Sequence, residues 1–486
     1  MKSPLTNLLL AAAFACALFA QTPQQAETAA RAERLMASGQ YAEAAKQWEA
    51  LLADLPGNPG LMRNLGIAEQ LAGQNRKAIE HLEGSLAKQP DHAPAWMLLG
   101  AAYLQTGQPA KAVAPLERAL QADASLSDAV KMLAQAQAAA NRPEQASKVY
   151  ARWADSAPND PAAWYGLGRS YEALAQGALA ELERSAPESA AMIALVASIQ
   201  EGSGNPEAAK QLYVEALRRD PKFPGLHAAL ARIHQAQGDA AAAQAERKFE
   251  PADATTDCGF APLVCDDLAG RSQHALAHAA KLAAPAPLYW QARAYDKLAA
   301  EAFAKLTALP PSAEGHMLLA GMERDRGRFN ESIAHWRSAL ALRPGDPMIE
   351  KDLAATLHQN RDYEAALPLV EELLRRAPGS PELNYLYGHI LLSMRRAPES
   401  IAPLEKAAAS APSFLPARSA LGLAYVQIGE SAKAAPHLEA ALPIDRDGSL
   451  HFRLGRVYQS LGRGEEARQM LAKSQQLRSA AGPEAQ

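Results

Sequence analysis

The chain repeats itself every 34 residues, and that period narrows its possible folds more than any single motif does. Leu65-Gly66 and Leu99-Gly100 recur at this spacing, followed in phase by Leu133-Ala134. A second set keeps the same step: Gly39, Gly73 and Gly107 each precede a stretch carrying Ala44, Ala78 or Ala112. Pro56, Pro90 and Pro158 close units in that phase. Within the unit PAWMLLGAAYLQTGQPAKAVAPLERALQADA, Trp96, Leu99, Gly100 and Tyr103 fall on one stripe of a helix. Gly107 ends that helix, because glycine enters the left-handed region without a Cβ penalty. A second helix presents Ala112, Leu116, Ala119 and Leu120. Small Gly100 and Ala112 allow close approach, and Trp96 and Tyr103 fill the space beside them. Neither helix buries its stripe alone, so such units must stack.

These residues resemble the tetratricopeptide repeat family, whose pattern W-x2-L-G-x2-Y…G…A…A stands here as Trp96, Leu99, Gly100, Tyr103, Gly107, Ala112 and Ala119. Trp164, Leu167, Gly168 and Tyr171 repeat it, as do Leu421, Gly422, Tyr425, Gly429, Ala434 and Ala441, and Leu454, Gly455, Tyr458, Gly462 and Ala467. Units start near Gln25, Pro59, Ala93, Ser127, Pro161, Ala190, Pro224, Ala313, Pro347, Pro381, Leu415 and Gly448. The expected fold is all-α, a right-handed α-solenoid of about twelve tetratricopeptide-like helix pairs. Phase breaks at Tyr171-EALAQGALAELERSAP and again at Tyr295-DKLAAEAFAKLTALP, where one long helix replaces a tight turn. The reading is therefore two related arrays, over 21–249 and 288–481, joined by a non-repeat segment over 250–287 and followed by a disordered tail over 482–486.

Lys2, an apolar run from Leu8 to Phe19 and a small-residue cut after Ala20 read as a signal peptide over 1–20. Acylation at Cys16 is the lipoprotein alternative, but Ala13-Phe14-Ala15 lacks the leucine expected before such a cysteine. Beyond the leader no apolar run approaches the length of a membrane span. An exported, periplasmic or extracellular chain is expected. The net charge of −4, with both signs interleaved, offers no footprint for nucleic acid.

Cys258 and Cys265 stand inside the join. In an oxidising compartment they are expected to close a disulfide; a redox pair and two separate thiols are the alternatives. Their spacing lacks the Cys-x2-Cys of redox folds and zinc knuckles. His274 and His278 share a helix face, yet without an HExxH motif they read as ordinary helix residues rather than metal ligands.

No motif for catalysis or a cofactor stands out. There is neither a P-loop nor a Gly-x-Ser-x-Gly elbow, and the repeat register explains Gly166-Leu167-Gly168. A non-enzymatic scaffold is expected, and the resemblance implies that first helices line a concave groove for a protein or peptide partner. By register, the candidate wall in the C-terminal array includes Met317, Leu318, Tyr385, Leu386, His389, Leu392, Leu423, Val426 and Phe452. In the first array it includes Arg63, Met97, Leu98, Leu104, Tyr165 and Arg169. A carboxylate clamp of the family type is not expected, since Lys351 has Ala355 and Lys131 has Gln135 where asparagine would stand. Two other readings are envelope assembly work for secretion, pilus or polysaccharide export, and carbohydrate binding. The latter needs aromatics along the groove, whereas Trp96, Trp164, Trp290 and Trp336 mostly sit in stacking stripes.

Overall fold

The structure is a computed structural model that describes residues 22–250, 253, 258 and 260–480. The expected signal peptide, Cys16 and the tail over 482–486 lie outside those residues. Among the described residues there are 26 α-helices and no β-strand. They form two compact units, Met1–Leu309 and Pro310–Gln486.

The first unit opens with four helix pairs: α1 (Pro23–Ala37) with α2 (Tyr41–Asp54), α3 (Pro59–Leu71) with α4 (Asn75–Lys88), α5 (Ala93–Gln105) with α6 (Pro109–Ala122), and α7 (Ser127–Ala139) with α8 (Pro143–Ser156). The long α9 (Pro161–Ser185) follows, then the pairs α10 (Ala190–Gly202)/α11 (Pro206–Arg219) and α12 (Leu226–Ala236)/α13 (Ala240–Arg247). A shortened pair, α14 (Pro262–Leu268)/α15 (Ser272–Ala279), precedes the long α16 (Ala286–Thr307). The second unit holds five pairs: α17 (Ala313–Asp325)/α18 (Phe329–Leu342), α19 (Pro347–Gln359)/α20 (Tyr363–Arg376), α21 (Pro381–Ser393)/α22 (Ala397–Ser410), α23 (Leu415–Gln427)/α24 (Ser431–Ala441) and α25 (Ser449–Ser460)/α26 (Gly464–Ala480).

Local chemistry sets the helix ends. Side chains of Asn58, Asp160, Asp346 and Ser380 accept hydrogen bonds from the first free amides of α3, α9, α19 and α21, and a proline follows each of them. Proline there costs nothing, because that amide has no helical acceptor. Between paired helices one residue turns left-handed: Gly39, Gly73, Gly107, Gly204, Gly238, Gly270, Gly327, Gly429 and Gly462. Asn141, Arg361 and Arg395 hold the same place in three repeats despite carrying a Cβ.

Packing inside a pair depends on the glycine of the stripe. A Cβ on Gly66, Gly100, Gly388, Gly422 or Gly455 would come within 2.5–2.9 Å of Cγ of Leu82, Leu116, Leu404, Leu438 or Leu471 respectively. Each leucine follows its glycine by the same step, so the contact is a property of the repeat. The loop before a first helix is closed by a side chain of that helix. Trp96, Trp164, Asn384 and Arg418 donate to the carbonyls of Pro90, Pro158, Pro378 and Pro412, each six residues back. Tyr425 and Tyr458 donate their hydroxyls to Glu405 and Glu439 of the preceding second helix at 2.5 and 2.6 Å, and Tyr103 does the same to Glu83.

The long helices depart from this plan together. Neither α9 nor α16 has a left-handed turn, so neither folds back on itself. They run antiparallel along one another. Ala163, Leu167 and Tyr171 from the first half of α9 share a core with Leu298, Ala299 and Ala302 from the second half of α16. Conversely, Ala178 and Leu182 of α9 share a core with Tyr289, Trp290 and Ala292 of α16. Each long helix thus supplies the second helix that the other lacks, making two composite repeats.

The segment 250–287, read from sequence as outside the repeat, contains the shortened pair α14/α15 with its turn at Gly270. Cys258 and Cys265, the latter in the first turn of α14, are joined in a disulfide with their Cα atoms 5.5 Å apart. Glu250, buried, accepts from the amides of Gly225 and Ala228 at 2.7 and 3.0 Å and so caps α12 from a distant part of the chain.

Candidate functional site

The left-handed turns give a ruler for the inner face. Residues three, six and ten before each turn share a side of the first helix that the stacking stripe does not use. In the second unit they are Met317, Lys351, Tyr385, Ser419 and Phe452 at ten, with Gly321, Ala355, His389, Leu423 and Arg456 at six. At three they are Arg324, His358, Leu392, Val426 and Gln459.

The sequence-derived wall divides into two sets. Met317, Leu318 and Leu392 are buried, as are Met97 and Leu98 in the first unit. Leu392, Met97 and Leu98 belong to cores shared with neighbouring repeats, Met317 Sδ lies 3.0 Å from Arg343 Nη2, and none of the five offers a surface to a partner. Tyr385, Leu386, His389, Leu423 and Val426 are half-buried, and Phe452 is 42% exposed. In the first unit Arg63, Leu104 and Tyr165 are half-buried, while Arg169 is exposed and pairs with Glu172.

Tyr385, His389 and Phe414 form the aromatic centre of the second-unit face. The Tyr385 ring meets Phe414 edge-on at 5.1 Å and His389 at 5.6 Å. His389 Nδ1 lies 2.8 Å from His358 Nε2 on the neighbouring first helix, so one imidazole donates to the other. Burial, and then the charge of His389, pushes His358 down to about 4, and burial lowers His389 as well. The pair is therefore neutral near pH 7. The place of His358 leaves no mark in the sequence, because the left-handed residue three positions later is Arg361 and not glycine.

Basic residues stand on this face as well, Lys351 at ten, Arg456 at six and Arg324 at three before their turns. Arg343 and Arg376, at the ends of second helices, pair with Glu314 and Glu350. His278 of the first unit faces Asp266 at 3.5 Å and His274 is exposed. Among the described residues no three His, Cys, Asp or Glu side chains converge as metal ligands would.

The geometry defines a class: stacked two-helix repeats with a glycine–leucine contact inside each pair. Tetratricopeptide repeat models match residues 35–102, 70–125, 103–170, 202–246 and 323–390, with further matches over 286–347 and 448–480. Together these span more than half of the sequence, and the chain belongs to the tetratricopeptide repeat family. No curated protein matches it. Among solved structures it is similar to MamA from Desulfovibrio magneticus RS-1, at 21% identity over 35% of this chain and 96% of that one, with a TM-score of 0.32. It is similar to TTC0263, a thermophilic tetratricopeptide repeat protein of Thermus thermophilus, at 22% identity over 34% and 91% of the two chains, with a TM-score of 0.30. YrrB, described as a tetratricopeptide repeat protein with an unusual peptide-binding site, shares 18% identity over 34% and 85%, with a TM-score of 0.29.

Proposed function

We propose that this protein is an exported, non-enzymatic scaffold that holds an apolar or amphipathic segment of a partner on the inner face of its second unit. The observation that carries the reading is the run of half-exposed apolar side chains at inner positions on three successive first helices: Tyr385, then Leu423 and Val426, then Phe452. Apolar side chains presented in register on a rigid stack favour an extended or helical ligand, because the stack is already ordered before binding. The neutral His358–His389 pair extends that surface without adding charge. Membership of a family of protein-interaction scaffolds supports the same class of function. The Cys258–Cys265 disulfide suits an oxidising compartment and so supports export.

A photo-crosslinking residue at Val426 or Phe452 should capture one partner in cells, while the same residue at Lys433, exposed on the second helix α24, should not. Leu423→Lys should abolish the capture with the fold intact. Capture from Lys433 alone, or capture indifferent to Leu423→Lys, would sink the assignment. The intact mass of the mature protein tests export: retention of Met1–Ala20 would refute it.

A further inference from the structure

The inner positions of the second unit carry charge of one sign only. None of those counted back from the turns is a carboxylate, although Asp and Glu number 53 in the chain against 49 Lys and Arg. Arg324 pairs with the neighbouring Asp325 at 3.4 Å. Lys351 and Arg456 are exposed and have no carboxylate partner among the described residues. Their places bracket the apolar run. His358, three before its turn, meets His389, six before the next. The same step along the stack sets Leu392 against Leu423 and Val426 against Arg456. Lys351 holds the position that Tyr385 takes one repeat later. The far end is the more basic. Arg453 and Arg478 are exposed there too, and the Arg478 guanidinium lies 5.1 Å from the centre of the Phe452 ring.

Resting on the groove assigned to the second unit, we infer that its partner is an acid-flanked apolar segment. It carries carboxylates at both ends, more of them at the end lying on α25, with aliphatic or aromatic side chains between. Packed helices stand about 8–10 Å apart, so the three steps from α19 to α25 cover about 25–30 Å. An extended segment of about nine residues crosses that distance. Its centre meets Tyr385, Leu423 and Val426, and its ends meet Lys351 and the arginines around Phe452. A basic amphipathic segment finds no counter-charge at these positions. A neutral one leaves Lys351 and Arg456 beside covered apolar surface with only water to pair with. Exposed ion pairs add little affinity each, so these cations act as selectors among apolar segments and as guides during encounter.

Selection from a library of random peptides of about twelve residues, long enough to cross the face, on the full-length protein tests this. Recovered peptides should carry Asp or Glu at their ends at least about threefold above the unselected library, around an apolar centre. On Lys351→Glu/Arg456→Glu, where both altered side chains are exposed, the bias should pass to Lys and Arg. An acidic bias that this variant leaves unchanged overturns the proposal. Apolar peptides without an acidic bias, recovered on the unaltered protein and lost on Leu423→Ala/Val426→Ala, overturn it too but leave the groove standing. Recovery indifferent to Leu423→Ala/Val426→Ala, or no recovery at all, overturns both. Salt covers the case in which a variant fails to fold. The affinity of an acid-flanked peptide for the unaltered protein, read by fluorescence anisotropy, should fall at least about fivefold between about 0.05 and about 0.5 M salt. An affinity that ignores salt overturns the proposal.

Discussion

A Cβ built on Gly168 would lie 2.3 Å from Cε1 of Phe303, so these residues, from helices far apart in the chain, set the closest approach of α9 and α16. Elsewhere the same glycine position meets a leucine of its own repeat. Here the pairing is exchanged, and Phe303 stands in for that leucine. The Tyr171 and Tyr295 rings stack beside it at 6.1 Å, and Gln273 donates to the Tyr171 hydroxyl at 3.1 Å.

The contact predicts a test of the composite repeats. Gly168→Val should cost about 1–3 kcal/mol by overpacking, although valine is tolerated in many helices. Phe303→Ala should cost about 3 kcal/mol, at the low end for a phenylalanine because the ring is only half-buried. Phe303→Leu should cost less than about 1.5 kcal/mol, since leucine serves this position in the ordinary repeats. Denaturant unfolding of the three variants checks the order. If Phe303→Ala were neutral, α9 and α16 would not depend on each other.

The tyrosine–glutamate bonds are separable from packing. Tyr425→Phe and Tyr458→Phe keep the ring and remove only the hydroxyl that Glu405 or Glu439 accepts. Each should cost about 0.5–1.5 kcal/mol. The hydrogen bond to Glu405, then burial, pushes the Tyr425 phenol up to about 12. Burial, then the bond to Glu439, does the same for Tyr458. Ultraviolet titration should therefore find these phenols still protonated at pH 11, and an ordinary phenol titration for both would show the bonds absent in solution.

The sequence states much of this architecture and conceals one part of it. Period and stripe residues were enough for the helix pairs, because Gly100 and Leu116 are near in the chain and their contact is local. The long helices were visible too, since neither Tyr171 nor Tyr295 is followed by a turn glycine. That these helices pair was not legible: nothing near Gly168 announces Phe303, and a long-range partner leaves no periodic trace. The pair α14/α15 was hidden for another reason, as its helices are too short to show a stripe. Register alone does not tell which of the candidate wall residues are exposed. Met317 and Leu392 take inner positions in register and are nonetheless buried, because burial depends on what packs over a position and not on its place in the period.

The disulfide closes a short loop at the entry to α14. In the chain-entropy account a loop of this length contributes roughly 2.5 kcal/mol. Cys258→Ser/Cys265→Ser, or reductant on the natural protein, should lower the melting temperature. It should also raise the exchange of amides at the start of α14 before those of α9. An unchanged melting temperature in reductant would mean that the loop is held by its own packing, chiefly buried Leu263 and Val264.

The histidine pair makes the second unit sensitive to acid. His358 stays neutral down to about 4 in the folded chain, through burial and then its neighbour, against an ordinary value of 6.5. Burial lowers His389 in the same direction. Between those limits the unfolded chain binds more protons than the folded one, so stability rises with pH across the window. The contribution is whole above the ordinary value and is lost as pH falls towards about 4, below which both states are protonated. The melting temperature of the natural protein should therefore drop between pH 7.5 and 4.5. In His358→Gln/His389→Gln, whose amides do not titrate, the drop should be smaller. Other groups titrate in both proteins, so the difference between the two slopes isolates the pair. Identical slopes would place the imidazoles in water and remove them from the inner face.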